Sequence, residues 1–243
     1  VVVNPPLDFE LKNLDPQHPY LSNRGFTAET VKQFGLGFCN RGSLKDRVAI
    51  PLHDMAGKLI GYAGRVIDDK LISEANPKYL FPSERERDGK LLQFRKSLFV
   101  YNGWRIEKPV RDLIVVEGFA STWWLTQHGA PDVVALMGSS CSIEQGALIT
   151  KLVKPKGSVW VMTDGDDAGR RCAGNVFVAV GAERLVRYVK VGDGQQPTDW
   201  SPEDILGSFG SVKRKSGQSD EPTGASLCEG STTEVHDPTA AEE

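Results

Sequence analysis

The chain has 243 residues, with 29 Lys plus Arg against 32 Asp plus Glu, 25 Gly, 14 Pro and 40% apolar residues. That is a globular composition with room for one large domain or two small ones. No apolar run reaches the roughly 18 to 20 residues of a membrane-spanning helix, and Val1 to Val3 leads into Asn4-Pro5-Pro6 without a basic segment, so neither a membrane partner nor a signal peptide is expected. The four cysteines stand singly, and the four histidines never fall at metal-ligand spacing with them or with one another. This pattern fits a reducing cytoplasm and predicts no structural zinc.

The net charge of −3 hides a regional division. From Ser211 to Glu243 there are three basic and seven acidic residues, which leaves the first 210 residues at +1. Between Arg41 and Arg105, thirteen basic residues face eight acidic ones. A surplus of that size is compatible with an ordinary solvated face and with a nucleic-acid contact.

In chain order, Asp15 to Phe38 reads as a small helical hairpin. Gly25 breaks it, Thr27 caps a second helix with Thr30 as a weak substitute for the Glu of a capping box, and Gly35 and Gly37 close it. Val48 to Leu52 and Leu59 to Val66 are predicted strands, joined as a hairpin by the polar turn His53 to Lys58. The rhythm then changes. Apolar runs at 113–116, 133–136 and 159–162 alternate with helical patterns at 121–128, 143–152 and 168–180, and 184–191 supplies a fourth strand. Strand and helix in alternation predict an α/β fold with a doubly wound parallel sheet. The expected organisation is a smaller α+β basic subdomain over 1–109, the α/β domain over 110–206, and a disordered tail over 207–243, whose Ser, Gly, Thr, Glu and Pro residues bury little apolar surface.

Two predicted strands end in acids. The first runs into Glu117-Gly118, and the third runs through Thr163 into Asp164-Gly165-Asp166-Asp167-Ala168-Gly169-Arg170. Ligand sites in open parallel sheets lie at the carboxyl ends of strands, so Glu117, Asp164 and Asp166 converge if these strands are neighbours. Oxygen-only donors of that kind suit Mg²⁺ or Mn²⁺. An EF-hand is ruled out, because its fifth loop position, which needs a carboxylate or amide, is Ala168 and its twelfth, which needs Glu, is Asn175; an ordinary Asp-rich turn stays open. The pair Trp123-Trp124 is expected to pack against the sheet.

Val115-Val116-Glu117-Gly118-Phe119, Gln127-His128-Gly129, Val134 to Ser140 and Asp164 to Arg170 resemble, in order and spacing, the TOPRIM fold of primases, topoisomerases and some nucleases. Upstream, Tyr20 to Phe26, Arg47 to Asp54, Gly57 to Val66, Pro77-Lys78-Tyr79-Leu80 and Phe94 to Ser97 resemble the catalytic core of DnaG-type bacterial primases. The resemblance covers roughly Pro19 to Trp200. It implies a nucleotidyltransferase that makes short RNA primers on single-stranded DNA from ribonucleoside triphosphates, with Glu117, Asp164, Asp166 and Asp199 as ligands of the divalent metal. It also implies a phosphate-contacting surface of Arg65, Lys78 and Lys96, joined by Arg47.

Two departures accompany it. Gln196 stands where the family has an acid, with Asp193 near enough to compensate. The family's zinc-binding and helicase-binding modules have no counterpart in this sequence, so a zinc-domain protein and the replicative helicase would act in trans. Two origins stay open, an excised core and a reduced relative from a mobile element, as do two other functions: a TOPRIM nuclease, and a non-catalytic nucleic-acid-binding accessory module.

Overall fold

The computed structural model describes residues 1–209. Most of the expected tail lies outside the described residues.

The centre of the second half is a four-stranded, wholly parallel sheet. Its strands are β8 (Val110–Val116), β9 (Val133–Ala135), β10 (Val153–Val161) and β11 (Leu185–Tyr188), in spatial order β11-β10-β8-β9. Helices α3 (Phe119–Gln127), α4 (Ile143–Leu152) and α5 (Asp167–Val180) connect them. In β8, Leu113 through Val116 are all buried, as a strand covered on both faces requires. Ile114 and Val116 join a cluster with Phe119 and Trp123 of α3, whereas Leu113 and Val115 join one with Ile149 of α4 and Val176 of α5. The helices therefore lie on opposite faces, and the winding reverses between β8 and β10. The register Trp160↔Ile114, Val161↔Val115 sets the ends of these two strands side by side. A crevice at such a switch point is where open α/β sheets hold ligands.

The expected doubly wound sheet is thus present. Strand boundaries differ from expectation, most at two places. The fourth strand is confined to Leu185–Tyr188, and β10 starts six residues early, because Val153 pairs with Val110 ahead of a register shift that takes up the polar stretch Lys154 to Gly157.

Upstream, α1 (Pro19–Asn23) and α2 (Ala28–Phe34) form the helical hairpin. A second sheet, antiparallel, takes the order β2 (Gly37–Cys39), β3 (Arg47–His53), β4 (Leu59–Val66), β5 (Tyr79–Leu80). The β3–β4 turn is held by the Asp54 carboxylate, which accepts the N–H groups of Ala56 and Lys58 at 2.9 Å. A third, small sheet joins β1 (Val2–Val3), β7 (Lys90–Gln93) and β6 (Arg85–Arg87).

Residue 109 is not a break in packing. One hydrophobic cluster takes in Phe26, Phe34, Val48 and Ile50 from upstream with Ile114, Phe119 and Trp123 from downstream. The main chain of Tyr101 bridges Ala135, closing the β9 edge of the parallel sheet, and its hydroxyl accepts the Trp123 indole N–H at 2.9 Å. Trp124 donates to the Trp200 carbonyl at 3.0 Å, so both tryptophans serve packing. Described structure also continues past the expected tail boundary of 207. Helix α6 (Pro202–Ser208) crosses it, and Phe209 is buried edge-on against Trp160.

Candidate active site

Of the three acids expected to converge at the ends of β8 and β10, Glu117 and Asp164 line one cleft at the switch point. Glu117 Oε1 accepts the main-chain N–H of Asp164 at 2.9 Å, and both side chains are half-buried. Burial, with the charges of Asp164 and Asp166 adding to it, pushes the Glu117 carboxyl up to about 7, although the Asp164 N–H pulls the other way. Asp164 is raised above its ordinary value by burial first and Asp166 second, while Lys78 opposes the rise. In both acids burial, more than repulsion from neighbouring acids, disfavours the charged form.

Asp166 caps α5, its Oδ1 accepting Gly169 N–H at 2.7 Å, which leaves the carboxylate exposed at the rim. The local turn needs glycine for space. A Cβ on Gly169 would lie 2.0 Å from the Asp164 carbonyl oxygen and 2.9 Å from Glu117 Oε1. A Cβ on Gly165 would lie 1.9 Å from the Gly192 carbonyl oxygen, because the loop after β11 is laced to this turn by Gly165 N–H to Gln195 O at 2.8 Å and Gly194 N–H to Gly165 O at 2.9 Å.

Asp199 lies on that incoming loop. It is exposed, and its Oδ2 accepts Gln196 N–H at 2.7 Å. Asp193 faces away, paired at 3.4 Å with Arg170, which also binds Asp167 at 2.7 Å. Gln196 itself lines a cleft of about 170 Å³ with Lys78, Phe81, Glu117, Met137 and Asp164. A narrower recess continues past it, walled by Tyr20, Arg24, Arg65 and Tyr79.

Among the described residues, no group of three or more His, Cys, Asp or Glu side chains is gathered tightly enough to enclose a metal ion as it stands. The donor chemistry fits a hard divalent cation nonetheless. Glu117 and Asp164 are neighbouring oxygen donors whose charged forms burial disfavours and a cation would favour, and the bare Gly169 keeps the floor between them open.

The four expected basic residues divide into two kinds. Lys78 is exposed on the cleft, close enough to Asp164 to oppose its pKa rise. Lys96 is exposed too. Its Nζ donates to the Met137 carbonyl at 3.0 Å and sits 5.4 Å from the Phe81 ring centroid, so it stands at the cleft wall. Met137 is held at φ 62°, a left-handed conformation that a non-glycine residue seldom adopts, with its N–H on the Glu117 carbonyl at 2.8 Å. Arg47 and Arg65, by contrast, are 5% and 3% exposed. Arg47 binds Gly64 O at 3.0 Å, Pro77 O at 2.9 Å and the Asn76 side chain. Arg65 binds Asp69 at 2.5 Å and the Val66 carbonyl, flanked by the rings of Tyr20 and Tyr79. Arg65 still reaches the recess wall, whereas Arg47 sits behind it.

Sequence reasoning placed Gln127 in a TOPRIM-like string and missed its contacts. From α3 its Oε1 accepts the Thr27 N–H and the Thr30 hydroxyl, each at 2.9 Å, and its Nε2 donates to Gly25 O at 2.9 Å. It supplies from another helix the acceptor that a capping-box Glu at position 30 would have provided.

Residues 111–189 match the Toprim domain. The chain is 28% identical over 221 residues to the DNA primase of Pseudomonas aeruginosa, covering 73% of this chain and 31% of that protein. It is 25% identical over 236 residues to the DNA primase of Aquifex aeolicus, covering 82% and 44% respectively. Among solved structures it is similar to the zinc-binding and RNA polymerase domains of the Aquifex aeolicus primase, with a TM-score of 0.65 at 23% identity over 79% of this chain and 55% of that one. It is also similar to a DnaG primase catalytic domain bound to ssDNA, with a TM-score of 0.64 at 23% identity over 79% and 70%. These likenesses bear out the expected fold. The chain spans less than half the length of these two curated relatives.

Proposed function

We propose that this chain, whose residues 111–189 match the Toprim domain and which is similar to DNA primases over most of its length, works as a primase catalytic core does, joining ribonucleotides into short primers on a single-stranded DNA template. The observation that carries this reading is the contact of Glu117 with Asp164 at a sheet switch point, where two carboxylates crowd beside the exposed ammonium of Lys78.

Glu117 and Asp164 would hold the divalent metal, Mg²⁺ or Mn²⁺, with Asp166 at the rim and Asp199 reaching in from the next loop. When bound, such a cation supplies Lewis-acid stabilisation of charge developing on phosphoryl oxygens. The chain's own residues supply the rest. Lys78 and Lys96 border the cleft and attract the phosphates of template and nucleotide, an affinity that needs no sequence readout and weakens with salt. Arg65 faces the recess beside Tyr79, where a phosphate arriving at its guanidinium would compete with Asp69. Gln196, a neutral amide between cleft and recess, orients without adding charge.

The test is a denaturing-gel assay with Mg²⁺ or Mn²⁺, single-stranded DNA and labelled ribonucleotides, comparing wild type with Asp164→Ala. Short oligoribonucleotides from wild type alone support the reading, and a shortened template points instead to a nuclease. Gln196 in place of an acid, with Asp199 engaged in its own turn, favours one second reading, a nucleic-acid-binding accessory module. Template binding without any product under either metal would select it.

A further inference from the structure

Between β4 and β5 the chain makes an excursion from Ile67 to Lys78 that has little packing of its own. Every residue from Asp68 to Ala75 is exposed. Two buried arginines tie it down. Arg65 holds its start, through Asp69 and the Val66 carbonyl. Arg47 holds its end, spanning from the Gly64 carbonyl of β4 to the Pro77 carbonyl and the Asn76 side chain. Asn76 passes the restraint on through Nδ2 to Leu71 O at 2.8 Å and a mutual pair of main-chain bonds with Ser73 at 3.1 Å, and Val66 N–H closes the segment on Lys78 O at 3.2 Å. Arg47 is therefore spent on carbonyl and amide oxygens one and two residues before Lys78. With three N–H groups committed to this set and the residue only 5% exposed, the guanidinium is turned into the strap and away from the open cleft.

We propose that Arg47 is a positioning residue: with Asn76 it clamps the 67–78 strap so that Lys78 is presented over the Glu117–Asp164 cleft. This rests on the reading of Lys78 as a phosphate contact, and it assigns Arg47 to the strap instead of to the phosphate surface. Arg47 reaches the template only through Lys78, and Asn76 belongs to the same clamp without carrying any charge.

The experiment combines two readouts on Asn76→Ala, Arg47→Lys and Lys78→Ala, each alone, and on the two doubles that contain Lys78→Ala. The first is the salt dependence of single-stranded DNA affinity, and the second is amide hydrogen exchange of the peptide over 66–80. Asn76→Ala guards against the case in which a changed Arg47 fails to fold, since it removes an exposed-side partner of the clamp and no charge. The expected result is that Asn76→Ala and Arg47→Lys each lower affinity about as much as Lys78→Ala, several-fold at low salt, and shrink the slope of log affinity against log salt by about 0.7, one single-strand phosphate contact. Adding Lys78→Ala to either is expected to cost nothing more, and exchange at 66–80 rises while the melting temperature holds. Losses that add in the double variants overturn the proposal, because Arg47 then acts by itself. Unchanged exchange in Asn76→Ala overturns it too. If Lys78→Ala alone leaves binding intact while Asn76→Ala still frees the strap, the clamp stands and the reading of Lys78 is what fails.

Discussion

The Glu117 side chain accepts the N–H of Asp164 at 2.9 Å, so each of the two acidic loops is a structural support of the other as well as a source of charge. That double use gives the bare site a pH signature. With a folded value of about 7 against an ordinary 4.5, the Glu117 carboxyl is protonated in both folded and unfolded chains at low pH and contributes nothing there. Between about 4.5 and 7 the folded protein keeps a proton that the unfolded chain has released, so stability falls as pH rises through that window and the full penalty applies above it. We expect the melting temperature without divalent cation to drop from pH 5 to pH 8 and to recover on adding Mn²⁺. Glu117→Gln, which keeps an oxygen acceptor and loses the charge, is expected to flatten the profile and cancel the Mn²⁺ response.

Two glycines of one helix give a matched pair. Gly169 lies where a Cβ would collide with the Asp164 carbonyl oxygen and crowd Glu117, whereas a Cβ on Gly174, further along α5, meets nothing within 4 Å. Gly174→Ala is expected to stabilise by about 0.5 to 1 kcal/mol through the helix preference alone. Gly169→Ala should destabilise and should lower Mn²⁺ affinity in the same titration. Equal behaviour of the two would dismiss the cradle.

Gln127 is expected to matter for stability out of proportion to its partial exposure. Truncation to Ala leaves the Thr27 N–H and the Gly25 carbonyl to find water, a loss of about 0.5 to 1.5 kcal/mol in chemical unfolding. Gln127→Glu keeps the acceptor for Thr27 and Thr30 and loses only the donor to Gly25, so an intermediate midpoint is expected.

Gln196→Asp tests the missing charge directly. The side chain already lines the cleft with Glu117 and Asp164, so a carboxylate there adds a third anionic donor. Tighter Mn²⁺ binding, read by calorimetry or Mn²⁺ relaxation without nucleotide, is the expected outcome, with a lower melting temperature in the metal-free protein.

Much of this architecture was legible because three of the four parallel strands contain short continuous apolar runs and each of those is followed by a helical pattern. Glu117 and Asp164 were legible for a related reason: once the strands are placed, the residues at their ends are placed too. The small third sheet was missed although its signal was present. Asp88-Gly89 is a two-residue hairpin turn with φ of 51° and 66°, but its flanking strands, Arg85–Arg87 and Lys90–Gln93, lack the apolar alternation that draws the eye. The burial of Arg47 and Arg65 was not legible at all. A charged residue reads as exposed until the carbonyls that neutralise its cost are known, and those of Pro77 and Val66 are fixed only by the fold. Gln127 failed similarly, its partners lying about a hundred residues away.

The main-chain bridge between Tyr101 and Ala135 bears on how the molecule comes apart. It makes a residue from the upstream half the outermost partner of the downstream sheet, while Phe26, Phe34 and Trp123 interlock beneath it. Neither half retains a closed surface once the other is taken away. Heating is therefore expected to give a single cooperative transition over residues 1–209, and separate expression of 1–109 and 110–209 two chains that fold only when mixed.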